Sequence, residues 1–233
     1  MTLSPVAIFH SPFPTKFGVP RQSGVVPLLK GKIVFEPEYR NRDYIRGIED
    51  FDFLWLIWGF SANSHRPLGP TVRPPRLGGN KALGVFATRS PYRPNPLGLS
   101  AVRLVGVNDT KDKGAVLIVE GADLMDGTPI YDIKPYLSYT DSHENARGGF
   151  TDTHQWKHLD VVIPDDIGKI FSPEDLEALT QILCQDPRPH YHDDPSRVYG
   201  MLYAGHDVKF TVSEGILRVV DVTSHLSPLT PHP

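Results

Sequence analysis

Two short polar motifs hold most of the side chains that could do chemistry. The first, FGVPRQSG at 17–24, places Arg21 and Gln22 between Pro20 and Gly24. The second, DLMDGTPIYDIKPY at 123–136, opens with Asp126–Gly127–Thr128–Pro129 and continues with Asp132, Lys134 and Tyr136 at alternate positions. A guanidinium on a loop bounded by proline and glycine offers a planar fork to a carboxylate or a face to an adenine. In the second motif, Gly127 lets backbone approach a ligand closely, and Asp126 can accept from a backbone amide or a ligand hydroxyl. Alternation puts Asp132, Lys134 and Tyr136 on one face of an extended segment. Both motifs also have structural readings: an ordinary turn for the first, and a DG turn followed by an Asp132–Lys134 charge contact for the second.

A third feature is where acid is missing. Between Asp52 and Asp109 there is no Asp or Glu, while Arg66, Arg73, Arg76, Lys81, Arg89, Arg93 and Arg103 all fall there. The formal net charge is -3, so this +7 stretch sits in a chain that is otherwise -10. Much of it is HRPLGPTVRPPRLGGNKALGVFATRSPYRPNPLG, dense in Pro and Gly. Arginines on stiff, turn-rich backbone predict a preformed surface for an anion or a nucleic acid. A solvated basic loop balanced by acids elsewhere is the alternative.

Other chemistries are poorly supported. No GxGxxG follows a strand, and neither GxxxxGK[ST] nor GxSxG occurs. The segment PHYHDDP gathers His190, His192, Asp193 and Asp194, but two histidines two apart share a side only when extended. His154 and His158 have helical spacing and no evident third ligand, so no metal is expected. The lone Cys184 rules out an internal disulfide and reads as a buried packing residue. The start of the chain lacks the pattern of a secretory leader, and the longest apolar run is far too short to span a membrane. A cytoplasmic location is the expectation.

The elements that must position these groups are mostly strands. Val6–Phe9, the stretch Val25–Phe35 with a turn at Lys30–Lys32, the continuous apolar run Phe53–Phe60, Leu83–Ala87, Leu99–Val107 and Ala115–Val119 read as β structure. Phe53–Phe60 is expected to be buried on both faces, Tyr39–Ile48 to form a short helix, and Ala122–Tyr136 to be rich in loop. Ser172–Cys184 is the clearest helix. Ser172 can cap it, Pro173 suits its first position, and Leu176, Leu179 and Leu183 form an apolar face. Val208–Val212 and Ile216–Val222 predict a hairpin, and the last nine residues a disordered tail. Residues 141–233 carry 15 acidic and 7 basic side chains, so the basic surface belongs to the first half. The prediction is a mainly β protein whose strands form a closed or nearly closed barrel, which removes exposed edges.

The motifs resemble those of the TsaA/TrmO family of S-adenosylmethionine-dependent tRNA adenine-N6 methyltransferases. The resemblance rests on FGVPRQSG at 17–24, RGIEDFDFLWLIWGF at 46–60 and TVRPPRLGGNKALGVFATRSPYRPNPLGLS at 71–100. DLMDGTPIYDIKPYLSY at 123–139 and QDPRPHY at 185–191 also match, so it covers nearly the whole chain to about residue 222. It implies a single-sheeted, non-Rossmann β-barrel over residues 1–145 and a smaller α+β C-terminal domain over 146–233. It further implies a homodimer that methylates N6 of N6-threonylcarbamoyladenosine at position 37 in threonine tRNA. The implied binders of S-adenosylmethionine are Pro20, Arg21, Gln22, Arg89, Asp126, Gly127, Thr128 and Pro129. A family His-Gln pair falls on Ser61 and Ala62 here, a departure that leaves backbone contacts. Candidates for handling the N6 proton are Asp126, Asp132, Lys134 and Tyr136. Arg66, Arg73, Arg76, Lys81 and Arg93 are the candidates for phosphates of the anticodon stem-loop. A non-catalytic RNA-binding regulatory module and a small-molecule methyltransferase with the same cofactor site are the rival readings.

Overall fold

The computed structural model describes residues 2–63, 69–154, 158–188 and 194–225. Along the chain come β1 (Ala7–His10), β2 (Lys30–Phe35), β3 (Phe53–Gly59), β4 (Thr71–Val72), β5 (Leu83–Gly84), β6 (Leu97–Thr110), β7 (Gly114–Glu120) and β8 (Thr128–Pro135). Then follow α1 (Ser138–Asp141), α2 (Phe150–Thr153), β9 (Asp160–Val162), α3 (Asp165–Gly168), α4 (Pro173–Cys184), β10 (Tyr199–Tyr203), β11 (His206–Ser213) and β12 (Ile216–Ser224). Where Tyr39–Ile48 predicts one helix, three short 3-10 turns stand at Pro37–Tyr39, Arg42–Ile45 and Ile48–Asp50. Gly47, at φ 83°, separates the last two.

The main sheet pairs its strands antiparallel in the order β1-β2-β7-β6-β3-β8, and β8 returns to β1. The expected single-sheeted barrel is corrected in its closure, since the main sheet is not closed evenly on itself. A four-stranded sheet in order β10-β11-β12-β9 makes up the smaller α+β region, and a two-stranded β4-β5 ribbon stands beside the main sheet. The β1–β8 seam holds three residue pairs, whereas β3 and β6 share seven. Beyond Leu104, β6 leaves β3 and continues as a hairpin with β7. The seam is short for a sequence reason. Pro12 and Pro14 follow β1, and Pro129, which pairs with Ile8, brings no N–H.

Alternation explains the interior. Leu54, Leu56 and Trp58 of β3 point into a core with Phe9, Ile33, Val102, Leu117 and Ile130. Their neighbours do not: Phe53 is 42% exposed, and Trp55 and Ile57 are half-buried. The expectation that this strand is buried on both faces therefore fails. Two further expectations shift. Residues 25–29 form the turn and Lys30–Lys32 lies within β2, while residues 121–127 are loop and the rest of the second motif is strand.

The second core lies under α4 and the four-stranded sheet, with Leu179, Leu183, Tyr203, Val208, Phe210 and Leu217 at its centre. The loop between β1 and β2 contributes Phe13, Val26 and Leu29 to it, and Phe13 meets Tyr203 at 5.3 Å between ring centroids. The loop carrying the first motif is thus packed by the C-terminal region. At Gly18 (φ 91°), a Cβ would stand 2.2 Å from the Met201 sulfur. The Ser172 cap is as predicted, its hydroxyl accepting from Asp175 N. Cys184 is half-buried, with its sulfur 3.6 Å from His158 Nδ1, and not fully packed away. Residues 226–233 of the predicted tail and His190, His192 and Asp193 of the histidine-rich cluster lie outside the described residues.

Candidate active site

A cleft of about 310 Å³ opens between the loop after β1, the end of β3, the segment after β5 and the approach to β8. Lys16, Pro20, Arg21, Gln22, Ser61, Ala62, Arg89 and Thr128 line it, joined by Trp58, Phe60, Asp123 and Met125. The structure thus brings together residues more than a hundred positions apart. Another hollow of about 310 Å³ lies among the 3-10 turns around Arg42–Glu49. Its charges are taken up locally, with Arg42 on Asp109 and Arg46 on Asp43, so we place the chemistry in the first cleft.

Its floor is set by β3 and β6. Trp58 lies against β6 because its register partner is Gly98, where a Cβ would sit 2.2 Å from the indole. Trp58 Nε1 donates to Ser100 Oγ at 2.9 Å, and Ser100 Oγ donates to Asp123 Oδ1 at 2.5 Å. Phe60 crosses Trp58 edge-on at 4.4 Å between centroids. A bulge between Ile57 and Trp58 re-aims β8 here, with the Tyr131 ring over Gly59.

Asp123 is the one carboxylate among the described lining residues. Burial pushes its pKa above the ordinary value of 3.8, against the opposing Ser100 hydrogen bond, backbone hydrogen bonds that include Ser23, and the charge of Arg89. The motif reading quoted Asp123 without giving it a role. The available signal was an acid three residues before the Asp126–Gly127 turn. On the rim, Arg89 donates to Gln22 Oε1, and Gln22 donates to the Arg21 carbonyl.

Asp126 faces away from the cleft. It accepts from Ser11 N at 3.1 Å and meets His10 Nδ1 at 3.1 Å. Desolvation is the largest influence on its pKa and pushes it up, but hydrogen bonds from His10, Ser11 and Gly127 and the charge of His10 together outweigh it, and the net direction is down. The amides of its turn are already engaged, Asp126 N with Phe13 O, Gly127 N with Phe9 O and Thr128 N with Met125 O. What the turn presents to the cleft is buried Thr128, whose hydroxyl donates to Met125 O at 2.7 Å. Pro129 pairs with Ile8 in the seam. Asp132, Lys134 and Tyr136 do share a face, but it is the outer one. Asp132 and Lys134 pair at 3.6 Å, and Tyr136 packs on Trp55 at 5.5 Å and Phe53 at 6.1 Å.

The basic segment divides. Arg73 and Lys81 are exposed around the β4-β5 ribbon. Arg76 is half-buried, and its charge acts on Arg21 to lower the Arg21 pKa. Arg93 donates to the Thr88 carbonyl at 3.2 Å, so it shapes the loop that presents Arg89. Arg66 lies outside the described residues. Among the described residues, no group of three His, Cys, Asp or Glu could hold a metal ion, and no helix is long and apolar enough to cross a membrane.

Comparison with known proteins covers the same ground. Residues 8–142 match the family model of the tRNA-methyltransferase O N-terminal domain, and residues 170–225 that of the TrmO C-terminal domain. The chain is 36% identical over 222 residues to the tRNA (adenine(37)-N6)-methyltransferase of Escherichia coli K12, covering 92% of this chain and 94% of that one. It is 36% identical over 229 residues to a Pseudomonas aeruginosa protein assigned as an S-adenosylmethionine-dependent methyltransferase, covering 95% and 97%. The crystal structure of TrmO from Pseudomonas aeruginosa superposes with a TM-score of 0.75 at 31% identity, covering 96% of this chain and 99% of that one.

Proposed function

Because the chain belongs to the tRNA-methyltransferase O family, we propose that it transfers a methyl group from S-adenosylmethionine to N6 of adenosine 37 in tRNA. N6-threonylcarbamoyladenosine is the form methylated, in threonine tRNA and in the cytoplasm. The observation that carries this reading is the cleft in which the PRQ loop, Arg89, the Ser61–Ala62 turn and Thr128 converge on Asp123.

The lining suits the cofactor's mixed charge. Lys16, Arg21 and Arg89 are the cations for its carboxylate, and Asp123 is the anion for its positive centres. Trp58, Phe60 and Met125 give an apolar wall against which an adenine can lie. S-adenosylmethionine brings a methyl group on a sulfonium that already carries its leaving group. The protein's task is then alignment and exclusion of water. Ser61 and Ala62 serve through backbone, while Gln22 braces Arg89. Asp126 holds the turn that presents Thr128. Transfer of radiolabel from S-adenosylmethionine to tRNA carrying the threonylcarbamoyl group tests the assignment. Equal labelling of tRNA lacking that group refutes the substrate, and no labelling of either refutes the activity.

In this reading, tRNA lies over Arg73 and Lys81. Replacing Arg73 and Lys81 together with Ala should flatten the plot of log tRNA affinity against log salt by about two counterions. Cofactor affinity should stay as it is, and a parallel loss of cofactor binding refutes the separation of the two surfaces.

The enzyme is a homodimer, and the outward aromatic face of Phe53, Trp55 and Tyr136 is its contact. That face offers apolar surface where a solvated sheet would carry polar side chains. Asp132 and Lys134 lie on the same face, so any part they take in catalysis is at a neighbouring copy's cleft. Sedimentation equilibrium should show a dimer that Phe53→Glu dissociates, and a strictly monomeric, fully active wild type refutes it.

A further inference from the structure

We propose that the Asp186–Pro187–Arg188 turn is a positioning element of the cofactor site, through which the C-terminal region sets cofactor affinity. The inference rests on the reading that Arg21 contacts S-adenosylmethionine. The turn stands just past α4, where Asp186 N donates to the Leu183 carbonyl at 3.1 Å. Asp186 has φ 49°, a left-handed conformation uncommon for a residue other than glycine. In that conformation its carbonyl accepts from Arg21 Nη2 at 2.9 Å, across 165 positions of sequence.

The carboxylate of the same residue is occupied otherwise. Arg188 grips it with both arms, Nε to Oδ1 at 2.8 Å and Nη2 to Oδ2 at 2.9 Å. The Arg188 backbone N–H adds a contact to Oδ1 at 3.3 Å. These side chains are 15% and 19% exposed, so the fork is largely sheltered from water.

The division of labour follows from charge. With the carboxylate gripped by Arg188, the hydrogen bond to Arg21 comes from a neutral carbonyl. That hydrogen bond orients the Arg21 guanidinium, which lines the cleft. Burial, the largest influence, lowers the Arg21 pKa, Asp186 opposes it, and Arg76 adds to the lowering. An arginine held this way gives up little rotamer freedom when a carboxylate arrives. The loop bearing it is fixed by the same region, since Phe13, Val26 and Leu29 sit in the C-terminal core.

The test uses the full-length enzyme. Arg188→Ala frees the Asp186 carboxylate to turn on Arg21. The expected result is a rise on the order of tenfold in Kd and KM for S-adenosylmethionine, with kcat at saturating cofactor within about twofold of wild type. Arg188→Lys, which keeps the charge and loses the fork, should fall between. Glu174→Ala breaks the contact of Lys30 with α4 in the same region and should leave both constants unchanged. The Arg21→Ala/Arg188→Ala double variant should bind no worse than Arg21→Ala alone, because Arg188 acts through Arg21. Unchanged cofactor affinity in Arg21→Ala would overturn the underlying reading of the site. A weakened Arg21→Ala combined with a normal Arg188→Ala, or with additive losses in the double variant, would leave that reading standing and overturn the inference.

Discussion

Asp123→Asn is expected to weaken S-adenosylmethionine binding by roughly tenfold to a hundredfold at neutral pH while leaving the apo protein as stable as wild type or more so. Asparagine keeps the shape and can still accept from Ser100, so what changes is charge. Asp123 is the one acid among the described lining residues and shares the cleft with Lys16, Arg21 and Arg89. Without it, the cleft has no anion for the cofactor's positive centres. Stability should move the other way because burial raises the Asp123 pKa from 3.8. A carboxyl whose folded pKa is raised adds stability below its unfolded pKa, and that stability is lost as pH rises through the folded value. The asparagine variant does not pay this ionisation cost. Its melting temperature should therefore gain on wild type from about pH 3.8 upward, levelling off above the raised pKa. Cofactor affinities should converge on the acid side, where Asp123 is protonated. Calorimetric titration across pH and thermal melts of both proteins measure these effects. Equal affinity at neutral pH would remove Asp123 from the binding site.

The elements legible in sequence were those with local signals. α4 announces itself by Ser172, Pro173 and leucines at helical spacing, and all of these act as read. The β6-β7 and β11-β12 hairpins follow from apolar runs around short polar turns. β9 and β10 carry no such signal. Asp160–Val162 is three residues long and is held by a parallel pairing with β12, and Tyr199–Tyr203 has Gly200 and Leu202 at its outward positions, so no polar residue marks the alternation. The PRQ motif and Arg89 line one cleft. The second motif misleads in part, because a DG turn with free amides looks like a ligand cradle until Phe9 and Phe13 take those amides up. The basic segment likewise carries no mark of which cations serve the fold. Arg93 caps a carbonyl and Arg76 lies near Arg21, while Arg73 and Lys81 remain at the surface. Asp186 and Arg188 stand in a motif that sequence could single out. The reach from there to Arg21 is a tertiary fact that no local pattern encodes.

Gly98→Ala should cost about 2–3 kcal/mol of stability and also lower cofactor affinity. A Cβ at this position would stand 2.2 Å from Trp58 Cε2 and 2.4 Å from Cζ2, inside the contact distance of any real side chain. Trp58 is only 6% exposed and cannot swing into solvent. The indole must move instead, and it carries the hydrogen bond to Ser100 that in turn fixes Asp123. Strain at β6 is thereby transmitted to the charge in the cleft. Gly31→Ala is the comparison, because its Cβ would strike Phe9 Cζ at 2.2 Å in the core of the main sheet. It should cost similar stability and leave cofactor affinity alone. Adding Trp58→Phe to Gly98→Ala should relieve the clash and recover part of the stability. Affinity should not return with it, because phenylalanine has no N–H to offer Ser100. Denaturant melts and calorimetric titration of the four proteins separate packing from binding. If Gly98→Ala lost stability but bound S-adenosylmethionine as wild type does, the Trp58–Ser100–Asp123 chain would be packing alone, with no hold on the cofactor.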